Sequence, residues 1–391
     1  MRLDRVPSSL SIAAAATAAL VLLAPPVGAC TNILVTKGAS ADGSTMITYA
    51  CDGRFHPHLP HAAAADHEPG AEYEIRHWTG ELVGTIPQVG HTHGVVGLMN
   101  DHQLAISETT TTGREELQNP NGLIHYWTLM KLTLERAATA REAIQVMAGL
   151  VEEHGYRSTA ESFSIADPDE VWLMEMIGTG PGGEGAVWVA MRIPDGSIAA
   201  YANGLRIRQF PLDDPENCLY SDNVVSFAVE RGFWDPASGE PFDFTAAYDT
   251  PTQAGRRYTA TRVWSIFRRA APSLELDEAY HRGDLTAEPF PLWITPERKL
   301  SVADVMSLMR DHYEGTEYDM TKGVDAGPYG SPNRWRPMSW EIYGETYTWE
   351  RPISTQQTGF SFVSQSRSWL PDAVGGVYWY GLDDTYTTVY M

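Results

Sequence analysis

Three cysteines in 391 residues are too few, and too odd a number, for a fold built on disulfides. Basic side chains are scarce too: 28 Lys and Arg stand against 50 Asp and Glu, a net charge of −22. So acidic a chain excludes nucleic acid as a partner, because it repels the phosphate backbone. Beyond residue 23 no stretch approaches the roughly 20 apolar residues of a spanning helix. The sequence holds no His-Glu-x-x-His metal motif, no internal repeat and no low-complexity tail. What it does hold is 43% hydrophobic residues, with 12 Trp and 18 Tyr, which argues for a packed core. The roughly 360 residues after the first 29 suit one large domain or two small ones.

Those first 29 residues read as a signal-peptide-like leader. Arg2 and Arg5 open it, an apolar run extends from Leu10 to Leu23, and Pro25-Pro26 breaks the helix. Val27-Gly28-Ala29 offers small residues at the cleavage positions, so a cut after Ala29 makes Cys30 the first residue. Thiol and α-amine then share one residue. An amine of pKa near ~7.7–8.0 can take the proton of its own nucleophile. Two other readings stay open here: a lipobox that leaves Cys30 acylated, and a cysteine that merely follows a cleavage site.

Thr31 to Thr36 and Ser44 to Ala50 read as a hairpin around the Asp42-Gly43 turn. Centring it near Ala41 places Cys30 and Asp52 equally far from the turn, which brings a carboxylate to the new N-terminus.

Cys30-Thr-Asn-Ile-Leu-Val, Ala41-Asp-Gly-Ser-Thr-Met-Ile-Thr and Asp52 resemble the start of the secreted cysteine dipeptidases. These are N-terminal-nucleophile (Ntn) hydrolases, distantly similar to choloylglycine hydrolases and penicillin V acylases. The likeness continues through Gly97 to Thr109, Glu161 to Asp167, Asp214 to Tyr220, Arg310 to Gly315 and Gln356 to Phe362. It implies an α+β fold, the four-layer αββα sandwich of two antiparallel sheets flanked by helices. Alternating hairpins and helix pairs independently suit two stacked sheets. It also implies one peptidase domain over 30–391, dipeptide substrates, an exported (periplasmic or secreted) location, and no metal or cofactor.

Site residues follow from the same likeness. Cys30 is the expected nucleophile and Asp52 the orienter of its amine. Asn203, in Ala202-Asn203-Gly204, reads by default as a turn residue; the resemblance makes it an oxyanion donor. Arg262, charged among Val263, Trp264, Ile266 and Phe267, reads as a surface helix charge or, by resemblance, as the arginine that holds the site. Thr109 falls where the resembling fold borders its substrate. One departure stands out: the wider group carries an arginine three residues before the site Asp, and this chain has Tyr49.

Elsewhere, eight of the 12 histidines lie between His56 and His102, and His56-x-His58 and His91-x-His93 have ligand-like spacing. A metal-dependent peptidase is therefore one rival reading, and a lipid-anchored binding protein acylated at Cys30 is the other. Leu123, Trp127, Met130 and Leu134 mark one helix; Ile144, Met147, Ala148 and Val151 mark a second behind Thr139-x-x-Glu142. Gly178 to Gly183 is spelled like a dinucleotide fingerprint, but Pro181 and the strand that follows make it a loop. Cys51 and Cys218 either bridge or stay free. The chain stops at Tyr386 to Met391, which reads as mid-strand, and the resemblance implies a further C-terminal region.

Overall fold

The computed structural model describes residues 30–53, 59–77, 80–111, 113–323, 326–333, 339–348 and 350–391. The leader and the His56-x-His58 pair lie outside the described residues. The strands of the two large sheets are β1 Asn32–Val35, β2 Thr45–Asp52, β3 His61–Ala62, β4 Val95–Val96, β5 Met99–Asn100, β6 Ala105–Thr110 and β7 Ala160–Ala166. There follow β8 Val171–Gly178, β9 Ala186–Arg192, β10 Ile198–Tyr201, β11 Cys218–Tyr220, β12 Trp293–Ile294, β13 Thr358–Ser366 and β14 Val377–Leu382. Helices of eight residues or more are α1 Tyr126–Arg136, α2 Ala140–His154, α3 Gln253–Ala270 and α4 Val302–Met309. The first sheet has the order β12-β10-β1-β2-β13-β14, the second β11-β9-β8-β7-β6-β5-β4-β3, and neighbours run antiparallel.

Strand alternation assigns the layers. Ile33, Val35, Met46 and Ala50 point to one side of the first sheet, into a cluster with Val263, Ile266 and Phe267 of α3 and Val305, Leu308 and Met309 of α4. Leu34, Ile47, Tyr49 and Cys51 point the other way, into a cluster that runs through the second sheet to Leu129, Met130, Ile144 and Met147 of α1 and α2. The order is thus α3/α4, first sheet, second sheet, α1/α2: the expected αββα sandwich. Burying each Ile or Leu contributes about 1.5–3 kcal/mol. A one-residue slip would turn these residues to the wrong faces, so burial pins the register.

Caps fall where the chain announces them. Thr139 Oγ1 accepts from Glu142 N at 3.2 Å, and Ser301 with Asp304 completes a reciprocal capping box on α4. Val95 to Thr109 holds three strands, because Gly97 at φ 59° makes an extra reversal. A Cβ there would stand 2.5 Å from the Tyr378 ring, so only glycine fits. The stretch from Tyr386 to Met391, expected as strand, is turn and coil: Thr387 N and Thr388 N donate back to the Asp384 carbonyl, and Met391 exchanges backbone bonds with Tyr380. All three cysteines are free; Cys51 sits in the first sheet and Cys218 in the edge strand of the second. No helix among the described residues is long and apolar enough to cross a membrane.

Candidate active site

The start of β1 lies where α3 and the end of β10 converge. Arg262 is fully buried on the sheet-facing side of α3, and its guanidinium gathers three pieces of backbone and side chain. Nη1 donates to the Cys30 carbonyl at 2.7 Å and to Thr31 Oγ1 at 3.0 Å. Nη2 donates to Asn203 Oδ1 at 2.8 Å, and Nε donates to the Tyr258 carbonyl one turn back at 3.1 Å. The Tyr258 ring lies under the guanidinium, 4.9 Å from its centroid. Burial pushes the arginine's pKa down, opposed by nearby Tyr258, Tyr313 and Cys30. Arg262 is therefore no surface charge.

Arginine offers only donors, so the Asn203 atom that it meets is the oxygen, and the amide NH₂ faces away. That NH₂ donates one hydrogen to the Thr110 carbonyl at 2.8 Å. Asn203 has φ 51°, the left-handed conformation that asparagine tolerates better than most residues. Glu175 holds the segment just beyond it, accepting from Arg206 N at 2.6 Å and Ile207 N at 3.0 Å. Burial pushes the Glu175 carboxyl up to about 8, outweighing those bonds.

The sign of that shift sets a pH dependence. The folded chain keeps a proton on Glu175 up to about 8, whereas the unfolded chain releases it near the ordinary 4.5. The stabilisation is fully present below the lower value and fades as pH rises through the upper one. Glu175→Gln is expected to flatten this decline, so the variant gains on the parent between about pH 5 and pH 9 in urea unfolding. Parallel stability curves would remove Glu175 as the cause.

The hairpin register differs from the expected one by a residue. Thr31 pairs with Ala50 and Leu34 with Ile47, so Cys30 stands opposite Cys51, with Asp52 one step beyond. The Cys51 thiol is pushed well above its ordinary pKa, by burial first and by its hydrogen bond to Cys30 second. Asp52 is buried and fully engaged: Thr358 Oγ1 donates to Oδ1 at 2.6 Å, and Arg351 Nη2 pairs with Oδ2. Burial pushes Arg351 down to about 10, against the favourable pull of Cys30. The departure at Tyr49 thus leaves Asp52 with a cation all the same, drawn from residue 351.

Tyr49 instead donates its hydroxyl to Glu108 Oε1. Glu108 and Glu161 are both buried, and Thr110 Oγ1 donates to Glu161 Oε1 at 3.3 Å. Burial raises both carboxyls, and Glu161 is raised further by Glu108, so the pair resists double ionisation. Thr109 is fully buried, its hydroxyl accepting from Asn32 Nδ2 at 2.7 Å. The structure thus brings Cys30, Asn203 and Arg262 together directly, and joins Asp52 to them along the first sheet. Sequence reading missed Arg351, Thr358, Glu108 and Glu161. For the two glutamates a signal existed: each is a charged residue in an otherwise apolar or hydroxylic strand.

A family model described as peptidase family C69 matches residues 29–391. A probable dipeptidase from Salmonella dublin is 30% identical over 375 residues, spanning 89% of this chain and 77% of that protein. One from Latilactobacillus sakei is also 30% identical over 375 residues, spanning 91% and 72%. A dipeptidase from Bifidobacterium longum is 28% identical over 391 residues, spanning 90% and 68%.

Proposed function

The chain belongs to peptidase family C69 and is a cysteine-type peptidase, and from that premise we propose that it hydrolyses dipeptides with Cys30 as an N-terminal nucleophile. The observation that carries this reading is the Arg262 hub, which ties the Cys30 carbonyl to the Asn203 amide. Removal of the leader, residues 1–29, exposes the Cys30 amine. That amine takes the thiol proton as sulfur attacks the peptide carbonyl, and the Asn203 side-chain amide supports the oxyanion that forms. The proton passes to the departing amine, leaving a thioester that water, activated by the same amine, hydrolyses.

Asp52, oriented by Arg351 and Thr358, fixes the local field at the N-terminus. Arg262 positions Cys30 and Asn203. Thr109 acts through Asn32, since its hydroxyl is already engaged. Export by the leader places the enzyme in the periplasm or outside the cell. Mass spectrometry of the mature N-terminus tests the premise of the chemistry: an unblocked Cys30 supports it. Diacylglycerol on that residue supports the lipid-anchored rival instead.

Asn203→Gly isolates the amide, because glycine takes φ 51° freely. The turnover number is expected to fall by ~10²–10³ with little change in KM. A rise in KM alone would make Asn203 a substrate-binding group instead.

A further inference from the structure

Of the histidines with ligand-like spacing, His93 enters a cluster, with Asp101 and His102, far from Cys30. His93, in the loop between Thr92 and β4, and Asp101 and His102, in the turn between β5 and β6, each bring a ligand atom within 4.8 Å of the others. We propose that these three residues bind a divalent transition metal, Zn²⁺ by their chemistry, in a site that ties together two connections of the second sheet, beside its seam with the first, and takes no part in hydrolysis.

The donor set selects the ion. Two imidazoles and one carboxylate suit Zn²⁺, Cu²⁺ or Ni²⁺, whereas Ca²⁺ and Mg²⁺ want oxygen alone. Ligand atoms around tetrahedral zinc lie about 3.4 Å apart, so the cluster has to contract by about an ångström. The side chains have room to do so: His102 and Asp101 retain 39% and 49% of their side-chain exposure.

The backbone beneath them is fixed in advance. His93 N donates to the Glu135 carbonyl at 2.9 Å, and Asp101 N donates to the Gly94 carbonyl at 2.8 Å. Gly94 N returns a bond to Asp101 Oδ2 at 2.9 Å, leaving Oδ1 facing His93 Nδ1 at 3.8 Å. An outer bond of this kind orients a metal-ligating carboxylate. The His93 and His102 rings stand 4.4 Å apart at 76°, a separation that two imidazolium cations would resist and a shared metal would favour. Asp372, whose Oδ2 is 3.6 Å from His102 Nδ1, stands beside the cluster and offers an oxygen as a fourth donor.

Position separates this cluster from the chemistry. Ser366 pairs with Thr45 and donates its hydroxyl to the Gln103 carbonyl at 2.8 Å, whereas Thr358 pairs with Asp52 at the other end of β2. Seven residue steps of β2 therefore separate the two ends, about 23 Å. Gln103 also donates from Nε2 to Asp372 Oδ1 at 2.9 Å and accepts from Arg367 N at 2.8 Å. The turn that carries Asp101 and His102 is thus where the second sheet meets the β13–β14 connection of the first. A metal there reaches across that seam through Asp372.

The test uses chelator-stripped, untagged protein carrying Cys30→Ala, because a terminal thiol and amine bind Zn²⁺ themselves. Competition against a chromophoric chelator is expected to find one tight equivalent, weakened at least about tenfold in both His93→Ala/His102→Ala and Asp101→Asn. His154→Gln should bind like its parent. Zn²⁺ should raise the thermal midpoint of the parent and not that of the double variant, and Cu²⁺ should show an electron paramagnetic resonance pattern of two imidazole nitrogens. Equal binding by parent and double variant, or none by the parent, would overturn the site. Loss of dipeptide hydrolysis when the wild-type chain is stripped would overturn its separation from catalysis.

Discussion

Cys30→Ala is expected to lower dipeptide hydrolysis by more than about 10⁴-fold while moving stability by no more than about 1 kcal/mol. The reason lies in which atoms do what. Arg262 grips the Cys30 carbonyl, which alanine retains, so the hub survives the loss of sulfur. A second chain that keeps Ala29 ahead of Cys30 should be equally inactive, although its thiol is intact. Its terminal nitrogen has become an amide, which cannot accept a proton. Cys51→Ala and Cys218→Ala should retain the chemistry, since neither thiol is bridged. Rates of dipeptide hydrolysis by these four chains check the set. Full activity with Ala29 in place would remove the amine from the mechanism, and activity in Cys30→Ala would remove the sulfur.

Asp52→Asn should damage both turnover and stability. A reading from the hairpin alone expects turnover to suffer far more than the fold, but the carboxylate is half of a buried ion pair with Arg351. Neutralising one partner strands the other charge away from water, which costs about 3–5 kcal/mol. Arg351→Met should cost a similar amount for the same reason. The double variant Asp52→Asn/Arg351→Met should recover most of that stability, because no uncompensated charge remains. It should not recover turnover, because the N-terminus has lost its oriented carboxylate. Urea unfolding and steady-state rates on the three variants form a complete cycle. Additive losses of stability would mean that the pair is not coupled.

The layers were legible because burial writes a period into the chain. Ile47, Tyr49 and Cys51 alternate with Met46, Thr48 and Ala50, and the α1 and α2 apolar faces repeat every three or four residues. Cys30, Asn203 and Arg262 were legible by resemblance, and the structure gathers them by hydrogen bonds that no spacing encodes. The hairpin register missed by one residue because turn chemistry at Asp42-Gly43 bounds a centre without fixing it. Arg351 left no trace and Thr358 no sign of its role, since their meaning depends on a partner 299 and 306 residues away. A buried ion pair has no period. The histidine spacing pointed to metal chemistry, and only the fold could show that the cluster stands at the opposite end of the sheets.

Those two long separations also bear on the order in which the protein is made. A ribosome delivers Cys30 and Asp52 early, but the carboxylate has neither its cation nor its hydroxyl partner until residues 351 and 358 emerge. Strand β13, which seats Thr358, must then insert beside β2 before the pocket is electrically complete. A nascent or truncated chain therefore carries the nucleophile without its surroundings. The two distant segments mature as one unit, and Asp52 gains its partners only once residue 358 has emerged.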